Sequence, residues 1–360
     1  MRVLHVIPTL QRAAGTSIFV AKIAQWLSKA GVDVSVAIAD PLGDDIYPLS
    51  HQVRLISIAD LLKSRTLTFD IVHIHALWVP ILHRVNAWAR KTGKPVVWSP
   101  HGMLTPWAMN NKRWKKWLGW WLYQKWDLRR AQLIHVTANS EMDDVRRLGL
   151  ANKVIIAPLG VDSQDCFERA RHDNGKRVLL FVSRVQKKKG LCNLAKAWAM
   201  LSRELRDKWC VRIVGPDQED HTKEVLVECD RLGVAKEWAF VGPKYEYELQ
   251  QEYANADIFV LPTFSENFGS VVIEALARSV PVITTKGAPW EELIKRQCGW
   301  WIDIGVEPLA DALKDAMSLG DAQRREMGAR GRALVEEKYT WDAVVKAMMK
   351  GYEEVLNGRT

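Results

Sequence analysis

Ser265-Glu266-Asn267-Phe268-Gly269-Ser270-Val271-Val272-Ile273-Glu274-Ala275-Leu276 follows an apolar run, Ile258 to Leu261, and carries two glutamates eight residues apart. The run reads as a buried strand, the polar residues around Glu266 as a loop, and the stretch from Ser270 as a helix. Gly269 frees the backbone to turn between them. A helical side chain points back towards its own N-terminus, so Glu274, about a turn and a half into the helix, reaches the same pocket mouth as Glu266. The unpaired amides of the helix start lie between the two and favour an anion such as phosphate. Carboxylates for sugar hydroxyls beside amides for a phosphate suit a nucleotide-sugar.

The same alternation of strand and helix runs outward in both directions, which predicts an α/β chain of parallel sheets covered by helices. In the first half, strands are expected at Val3–Ile7, Val34–Ile38, Ile71–His75, Val96–Ser99 and Leu133–Val136, with an amphipathic helix from about Ser17 to Lys29 that stops before Gly31. The pattern lapses at Pro158-Leu159-Gly160-Val161-Asp162 and a polar stretch reaching Lys176. A second series follows: Val178–Val182, Val211–Val214, Ala239–Val241, Ile258–Leu261 and Val280–Thr284. The expected division is 1–165 and 166–340, two Rossmann-like domains, with 341–360 a C-terminal helix packing back on the first. Ligands of such sheets bind at the carboxyl ends of the strands. No strand leads into G-x-G-x-x-G and no G-x-x-x-x-G-K-[ST] occurs, which disfavours a dehydrogenase.

The 360 residues suffice for about two domains. No apolar run approaches the ~18 residues needed to span a bilayer, and Met1 to Pro8 reads as a first buried strand rather than a signal peptide. Cys166, Cys192, Cys210, Cys229 and Cys298 are scattered and lack a C-x-x-C pair, so free thiols in a reducing cytoplasm are expected. A net charge of +9 suits anionic partners such as nucleotide phosphates or acidic lipids. No nucleic-acid-binding module is evident.

The quoted segment resembles the signature of the retaining glycosyltransferases with the GT-B fold, the group 1 or family 4 enzymes. The resemblance covers nearly the whole chain and is nearest to bacterial enzymes that build exopolysaccharide or O-antigen repeats on a lipid carrier. It implies a GT-B architecture: two Rossmann-like domains, an interdomain cleft and a C-terminal helix. It implies that Glu266 contacts the donor sugar and Glu274 the ribose hydroxyls, with Asn267, Phe268, Gly269, Ser270 and Val271 completing the donor-binding stretch. Arg184 and Lys189, five residues apart in Val182-Ser183-Arg184-Val185-Gln186-Lys187-Lys188-Lys189-Gly190, resemble the family's pair of cations on the donor diphosphate. As the sugar–phosphate bond breaks, charge builds on the leaving diphosphate, and fixed cations and helix amides stabilise it. Lys187 and Lys188 read as a solvated basic loop.

Metal-dependent glycosyltransferases use D-x-D for the same task, and this chain contains none. No metal and no cofactor is therefore expected. In the loop from Thr9 to Gly15 the family usually carries two adjacent glycines; here Ala14-Gly15 keeps only Gly15. Gly215-Pro216-Asp217 and Gly242-Pro243, shortly before Tyr245, match further donor-side elements, the latter at the nucleobase pocket. Pro158-Leu159-Gly160-Val161-Asp162 has Leu159 where the family has asparagine.

His101, in Trp98-Ser99-Pro100-His101-Gly102-Met103, follows a strand. The resemblance places it near the sugar's 6-position; the plainer alternative is a histidine capping a turn. His73 and His75 share one strand face, but a metal site needs more ligands and none are evident; His75 is expected at the cleft. Lys112-Arg113-Trp114-Lys115-Lys116-Trp117-Leu118-Gly119-Trp120-Trp121-Leu122-Tyr123-Gln124-Lys125-Trp126 is helical in period, with Trp114, Trp117, Leu118, Trp121 and Leu122 on one face. That face either packs into the core, leaving a wet basic face with Lys112, Lys115 and Lys116, or anchors the protein at a membrane surface.

These readings converge on a metal-independent retaining hexosyltransferase. Its substrates would be a UDP- or GDP-sugar and a glycan or polyprenyl-linked acceptor, with an anionic membrane surface as a further partner and no nucleic acid. Its place would be the cytoplasm, on the inner face of the plasma membrane. Two rivals remain open: a non-catalytic nucleotide-sugar-binding subunit of a polysaccharide assembly complex, and a nucleotide-sugar epimerase of the same fold.

Overall fold

The computed structural model describes residues 1–11, 14–40, 46–64, 66–110, 113–161 and 175–358. Asp162, Cys166, Lys112 and the 165/166 boundary lie outside the described residues. The chain divides into two compact units, one of Met1–Gly160 with Trp341–Thr360, the other of Val161–Thr340.

The first unit is built on a seven-stranded sheet: β1 Arg2–Val6, β2 Asp33–Ile38, β3 Arg54–Ser57, β4 Ile71–His75, β5 Val96–Ser99, β6 Leu133–Val136 and β7 Val154–Ile156. The spatial order is β3-β2-β1-β4-β5-β6-β7, with every pair parallel. β1 and β4 are therefore neighbours at the point where the winding reverses, which is where open α/β sheets place ligands. The central strands are buried on both faces because helices cover both. On one side lie Phe19, Ile23 and Leu27 of the helix Gly15–Lys29, with Val344, Met348 and Tyr352 of the helix Trp341–Asn357. The last helix of the chain thus completes the core of the first unit.

The second unit has a six-stranded sheet: β8 Arg177–Val182, β9 Trp209–Val214, β10 Trp238–Gly242, β11 Ile258–Leu261, β12 Val282–Thr285 and β13 Gly299–Ile302. Its order is β10-β9-β8-β11-β12-β13, again all parallel. Here β8 and β11 flank the reversal.

The alternation read from the sequence recovers the central strands. It misses β3, β7 and β13, which sit at or beside sheet edges and are only partly buried along their length. Half-exposed positions tolerate polar residues, so their apolar signal is weak. Among the described residues no helix is long and apolar enough to cross a membrane.

Candidate active site

In the second unit the loops leaving β8 and β11 are locked together. Gly190 adopts φ +73°, and a Cβ there would come within 2.0 Å of the Pro262 carbonyl oxygen. Only glycine lets the two backbones approach this closely. The Lys188 carbonyl accepts from the Phe264 amide at 2.9 Å and from Thr263 Oγ1 at 3.2 Å. Gly215, φ +142°, does the same for β9: a Cβ would lie 2.0 Å from the Ser183 carbonyl oxygen. Gly242 ends β10 and its carbonyl accepts from the Gly215 amide at 2.9 Å.

On this frame Lys189, buried, forms an ion pair with Glu266, whose Oε1 also lies 3.2 Å from Thr263 Oγ1, a second acceptor sharing that hydroxyl proton with the Lys188 carbonyl. The Glu266 amide donates to the Gly287 carbonyl at 2.6 Å, which fixes the loop on the neighbouring β12 connection. Arg184 stays exposed, its Nη1 3.3 Å from Gln218 Oε1. Lys187 is also exposed and pairs with Glu224 at 3.1 Å. Lys188 differs from the wet side chain expected of it. It is half-buried, and desolvation, opposed by the Glu266 carboxylate and reinforced by Lys189 and Arg184, holds its pKa below the usual lysine range. Lys188 therefore belongs to the charge cluster.

The helix Ser270–Ala277 starts at Gly269, φ +81°. Phe268 is buried against Trp290 and Tyr339, with ring centroids 5.1 and 5.8 Å away, and its carbonyl accepts from Trp290 Nε1 at 2.6 Å. Asn267, Ser270 and Val271 are partly buried around this turn. Glu274 accepts from the Tyr253 hydroxyl at 2.8 Å; burial raises its pKa, while bonds from Tyr253 and Ser270 act against the rise. Tyr253, invisible as a site residue in the sequence because it reads as an ordinary helical aromatic, is the side chain that holds Glu274. Tyr245 precedes the helix Glu246–Asn255 with an exposed ring.

In the first unit Gly15 opens the helix Gly15–Lys29, and Ser17 Oγ donates to the Thr9 carbonyl at 3.3 Å, tying that helix to the loop after β1. Arg12 and Ala13 of the same loop lie outside the described residues. His101 follows β5 in the left-handed region, φ +51°, a conformation that costs energy for a side chain of this size. The turn is held by Glu141, a buried carboxylate that accepts from the Gly102 amide at 2.6 Å and the Thr137 amide at 2.9 Å.

Behind His101 stands a cluster the sequence did not reveal. His75 Nδ1 is 2.9 Å from His101 Nε2, and His75 Nε2 is 2.8 Å from His5 Nδ1. His73 bonds Tyr352 and Ser99 at 2.6 Å each, and Ser99 bonds His135, also at 2.6 Å. His5, His73 and His75 are fully enclosed. His75 thus does not sit at an open site, as its strand-end position suggests; it backs His101. A third histidine near His73 and His75 also exists: His5, brought in by the β1–β4 register that pairs His5 with His73. The three offer one ligand atom each within 4.8 Å of one another, but both nitrogens of His73 and of His75 already have protein partners. Burial lowers the pKa of His5 and His101 to about 3 and of His135 to about 4, and carries His73 and His75 well below the ordinary histidine value. All five are neutral at physiological pH.

Residues 13–165 match the model of glycosyltransferase family 4, and residues 162–334 match that of glycosyl transferases group 1. The chain belongs to the group 1 glycosyltransferases. D-inositol 3-phosphate glycosyltransferase of Corynebacterium diphtheriae is 25% identical across 94% of this chain and 90% of its own length. The capsular polysaccharide biosynthesis glycosyltransferase CapM of Staphylococcus aureus is 26% identical across 58% of this chain and 57% of its own. The solved structure of Anabaena HepE in complex with UDP and glucose superposes with a TM-score of 0.77 at 16% identity, covering 98% of this chain and all of that one. GT-B proteins share two Rossmann-like domains, in keeping with the two parallel sheets here.

In this glycosyltransferase the stretch from Arg113 to Arg130 is not a core helix. Trp114, Trp117, Leu118, Trp121 and Leu122, expected to share a face, are between 46% and 69% exposed, as are Trp107 and Trp126. Trp120, Gln124, Asp127 and Leu128 turn inward instead. Gln124 Oε1 accepts from the Trp78 amide at 2.9 Å, and Asp127 accepts from Asn86 at 2.8 Å and bonds His83 at the same distance. These polar anchors set the rotation of the segment, including a π turn at Trp120–Gln124, and so push the tryptophans outward. Lys125 covers the Trp121 ring at 4.1 Å and Lys115 the Trp114 ring at 5.3 Å. Cys192, Cys210, Cys229 and Cys298 are free thiols.

Proposed function

We propose that this glycosyltransferase moves a hexose-type sugar from a UDP- or GDP-sugar, with retention and without a metal ion, to a hydroxyl of a polyprenyl-linked glycan in cell-surface polysaccharide synthesis. The observation that carries the reading is the cluster at the ends of β8 and β11, where Lys189 pairs with Glu266 and Lys188 lies near Glu266, Lys189 and Arg184, just before the N-terminus of the Ser270–Ala277 helix. Such a site suits a sugar diphosphate: cations and amides for the phosphates, a carboxylate for the sugar. Glu274, held by Tyr253, faces the ribose. In the reaction the bond from the sugar's C1 to the diphosphate oxygen breaks and the diphosphate keeps the electron pair. The acceptor oxygen bonds C1 on the same face, and its proton passes to the departing diphosphate. The role of Arg184 and Lys189 is to stabilise that growing charge. The UDP complex of HepE, and the capsular role in the name of CapM, support the donor class and the pathway class.

The exposed tryptophans with Arg113, Lys115, Arg129 and Arg130, all exposed around them, support docking on an anionic bilayer, where aromatic rings settle at the interface and cations meet acidic headgroups. On this reading the enzyme works at the cytoplasmic face, beside a lipid-linked acceptor.

The test offers UDP- and GDP-sugars singly, with and without a polyprenyl diphosphate-linked oligosaccharide, in buffer containing EDTA. Nucleoside diphosphate release is followed by chromatography and the new anomeric linkage by NMR. The expected result is acceptor-dependent release with the donor's configuration kept. Free epimerised sugar or nucleotide-sugar without acceptor means an epimerase. Donor binding without turnover on any acceptor means a non-catalytic subunit.

A further inference from the structure

Two hydrogen-bond chains run through the histidine cluster, and they differ in one respect. The first is anchored. His135 Nε2 lies 2.8 Å from the Ala157 carbonyl, which can only accept, so Nε2 carries the proton. In a neutral ring Nδ1 is then the acceptor, and it takes the Ser99 hydroxyl proton. The Ser99 oxygen accepts from His73 Nε2–H, and His73 Nδ1 accepts from the Tyr352 hydroxyl. Every donor has an acceptor and no alternative direction exists.

The second chain, His101–His75–His5, ends on no carbonyl. It has two self-consistent directions. If each ring carries its proton on Nε2, His101 donates to His75, His75 donates to His5, and His5 Nε2–H is left pointing at nothing. His5 Nε2 is fully enclosed and without a partner among the described residues. If each ring carries its proton on Nδ1, His5 donates to His75 and His75 donates to His101 Nε2. Only a lone pair on His5 then goes unmatched. Buried N–H groups without acceptors are the rarer defect, and the cost of an unmatched buried donor falls wholly on the first direction. At the other end nothing opposes the choice. Among the described residues His101 Nδ1 has no protein partner, and His101 is only partly buried, whereas His5 is fully enclosed.

We propose that His5 and His75 are positioning residues that hold His101 in its Nδ1–H form, so that its open side is a hydrogen-bond donor to a substrate oxygen and not a base. The proposal rests on the reading of His101 as a substrate-facing residue and sharpens it: the group it meets must accept, as a sugar hydroxyl oxygen or a phosphate oxygen does. The rings are stacked, His75 on His101 at 5.2 Å and on His73 at 4.2 Å, and Phe19 packs edge-on against His101 at 5.3 Å. This packing keeps the relay from rotating. The low pKa values keep each ring to one proton.

The experiment is long-range proton–nitrogen NMR on full-length protein carrying ¹⁵N-histidine, at pH 7, with resonances assigned by single substitutions. The expected wild-type pattern is Nδ1–H at His5, His75 and His101, against Nε2–H at the internal controls His73 and His135. Nε2–H at His101 overturns the proposal whatever the activity. So does a stoichiometric zinc ion found by atomic emission and held by His5, His73 and His75. Two variants add function. His5→Asp places an acceptor opposite His75 Nε2, which reverses the relay, and should turn His101 to Nε2–H and lower kcat about tenfold; His5→Asn, whose amide nitrogen replaces Nδ1, should keep both as in the wild type. A His5→Asp protein that folds and keeps a pure Nδ1–H signal at His101 also overturns the relay. A reversed tautomer with unchanged turnover leaves the relay standing and removes His101 from the substrate.

Discussion

In the unit formed by Met1–Gly160 and Trp341–Thr360, the two strands that flank the sheet's reversal carry His5, His73 and His75, enclosed and neutral. In the unit Val161–Thr340, the matching strands β8 and β11 lead into Arg184, Lys188, Lys189 and Glu266, a cluster of full charges. The winding is the same and the electrostatics are opposite. The sheet topology provides a place where loops and strand ends meet, and the residues at that place decide what it binds. A neutral network offers directed hydrogen bonds to uncharged groups and is costly to ionise. A charged cluster meets a ligand whose own charge changes during reaction.

The largest test of that contrast is acid. His5, His73, His75 and His135 have pKa values lowered by burial, His5 to about 3 and His135 to about 4, whereas the unfolded chain titrates near 6.5. Below that value the unfolded state binds more protons, so stability falls as pH drops below about 6.5. Glu274 runs the other way. Its pKa is raised by burial, so its contribution is fully present below the unfolded value near 4.5 and is lost as pH rises through the folded value. Hydrogen exchange at pH 5 should therefore show the amides of the first unit opening before those of the second. Equal loss of protection in both units would break the contrast.

Next in size is the charge cluster itself. Arg184→Ala and Lys189→Ala should each reduce turnover at saturating donor by about 10²–10³, the cost of one lost donor to a developing anion. Lys189→Ala should also lower the melting temperature, because it strands Glu266 without its ion-pair partner. Lys187→Ala, at an exposed pair with Glu224, should be near neutral. If Lys187→Ala proves as damaging as the other two, the assignment within the basic run is wrong.

Glu274→Ala should weaken nucleoside diphosphate binding by roughly 1.5–3 kcal/mol in calorimetry, the worth of a hydrogen bond to a charged group. Tyr253→Phe, which removes only the bond that holds the carboxylate, should cost less, about 0.5–1.5 kcal/mol. Unchanged affinity in Glu274→Ala would take the ribose away from this residue. Smallest per site is the surface of the first unit. Lys115→Glu should weaken binding to phosphatidylserine-containing vesicles by about 1 kcal/mol or somewhat more per reversed charge, and equal co-sedimentation of variant and wild type would mean that the tryptophan face serves something other than a bilayer.

The amino-acid sequence by itself carried the alternation of central strands and helices, the Glu266–Glu274 segment, the Arg184–Lys189 spacing and, through them, the family. Those signals are local: an apolar run, a glycine at a turn, a cation a fixed number of residues after a strand. Three features were decided only by the tertiary structure. The histidine relay joins residues 70 positions apart, His5 and His75, because the parallel register of β1 and β4 sets His5 beside His73 and so within reach of His75, two residues on along the same face, and no periodicity within either strand encodes that register. The Lys189–Glu266 pair spans 77 residues and depends on the close backbone approach at Gly190. The outward face of the tryptophan segment follows from Gln124 and Asp127 finding buried partners at Trp78, His83 and Asn86. Burying a polar group is tolerated only where its partner waits. Helical period marks which residues share a face, and it is the position of those partners in the fold that decides whether the face turns inward.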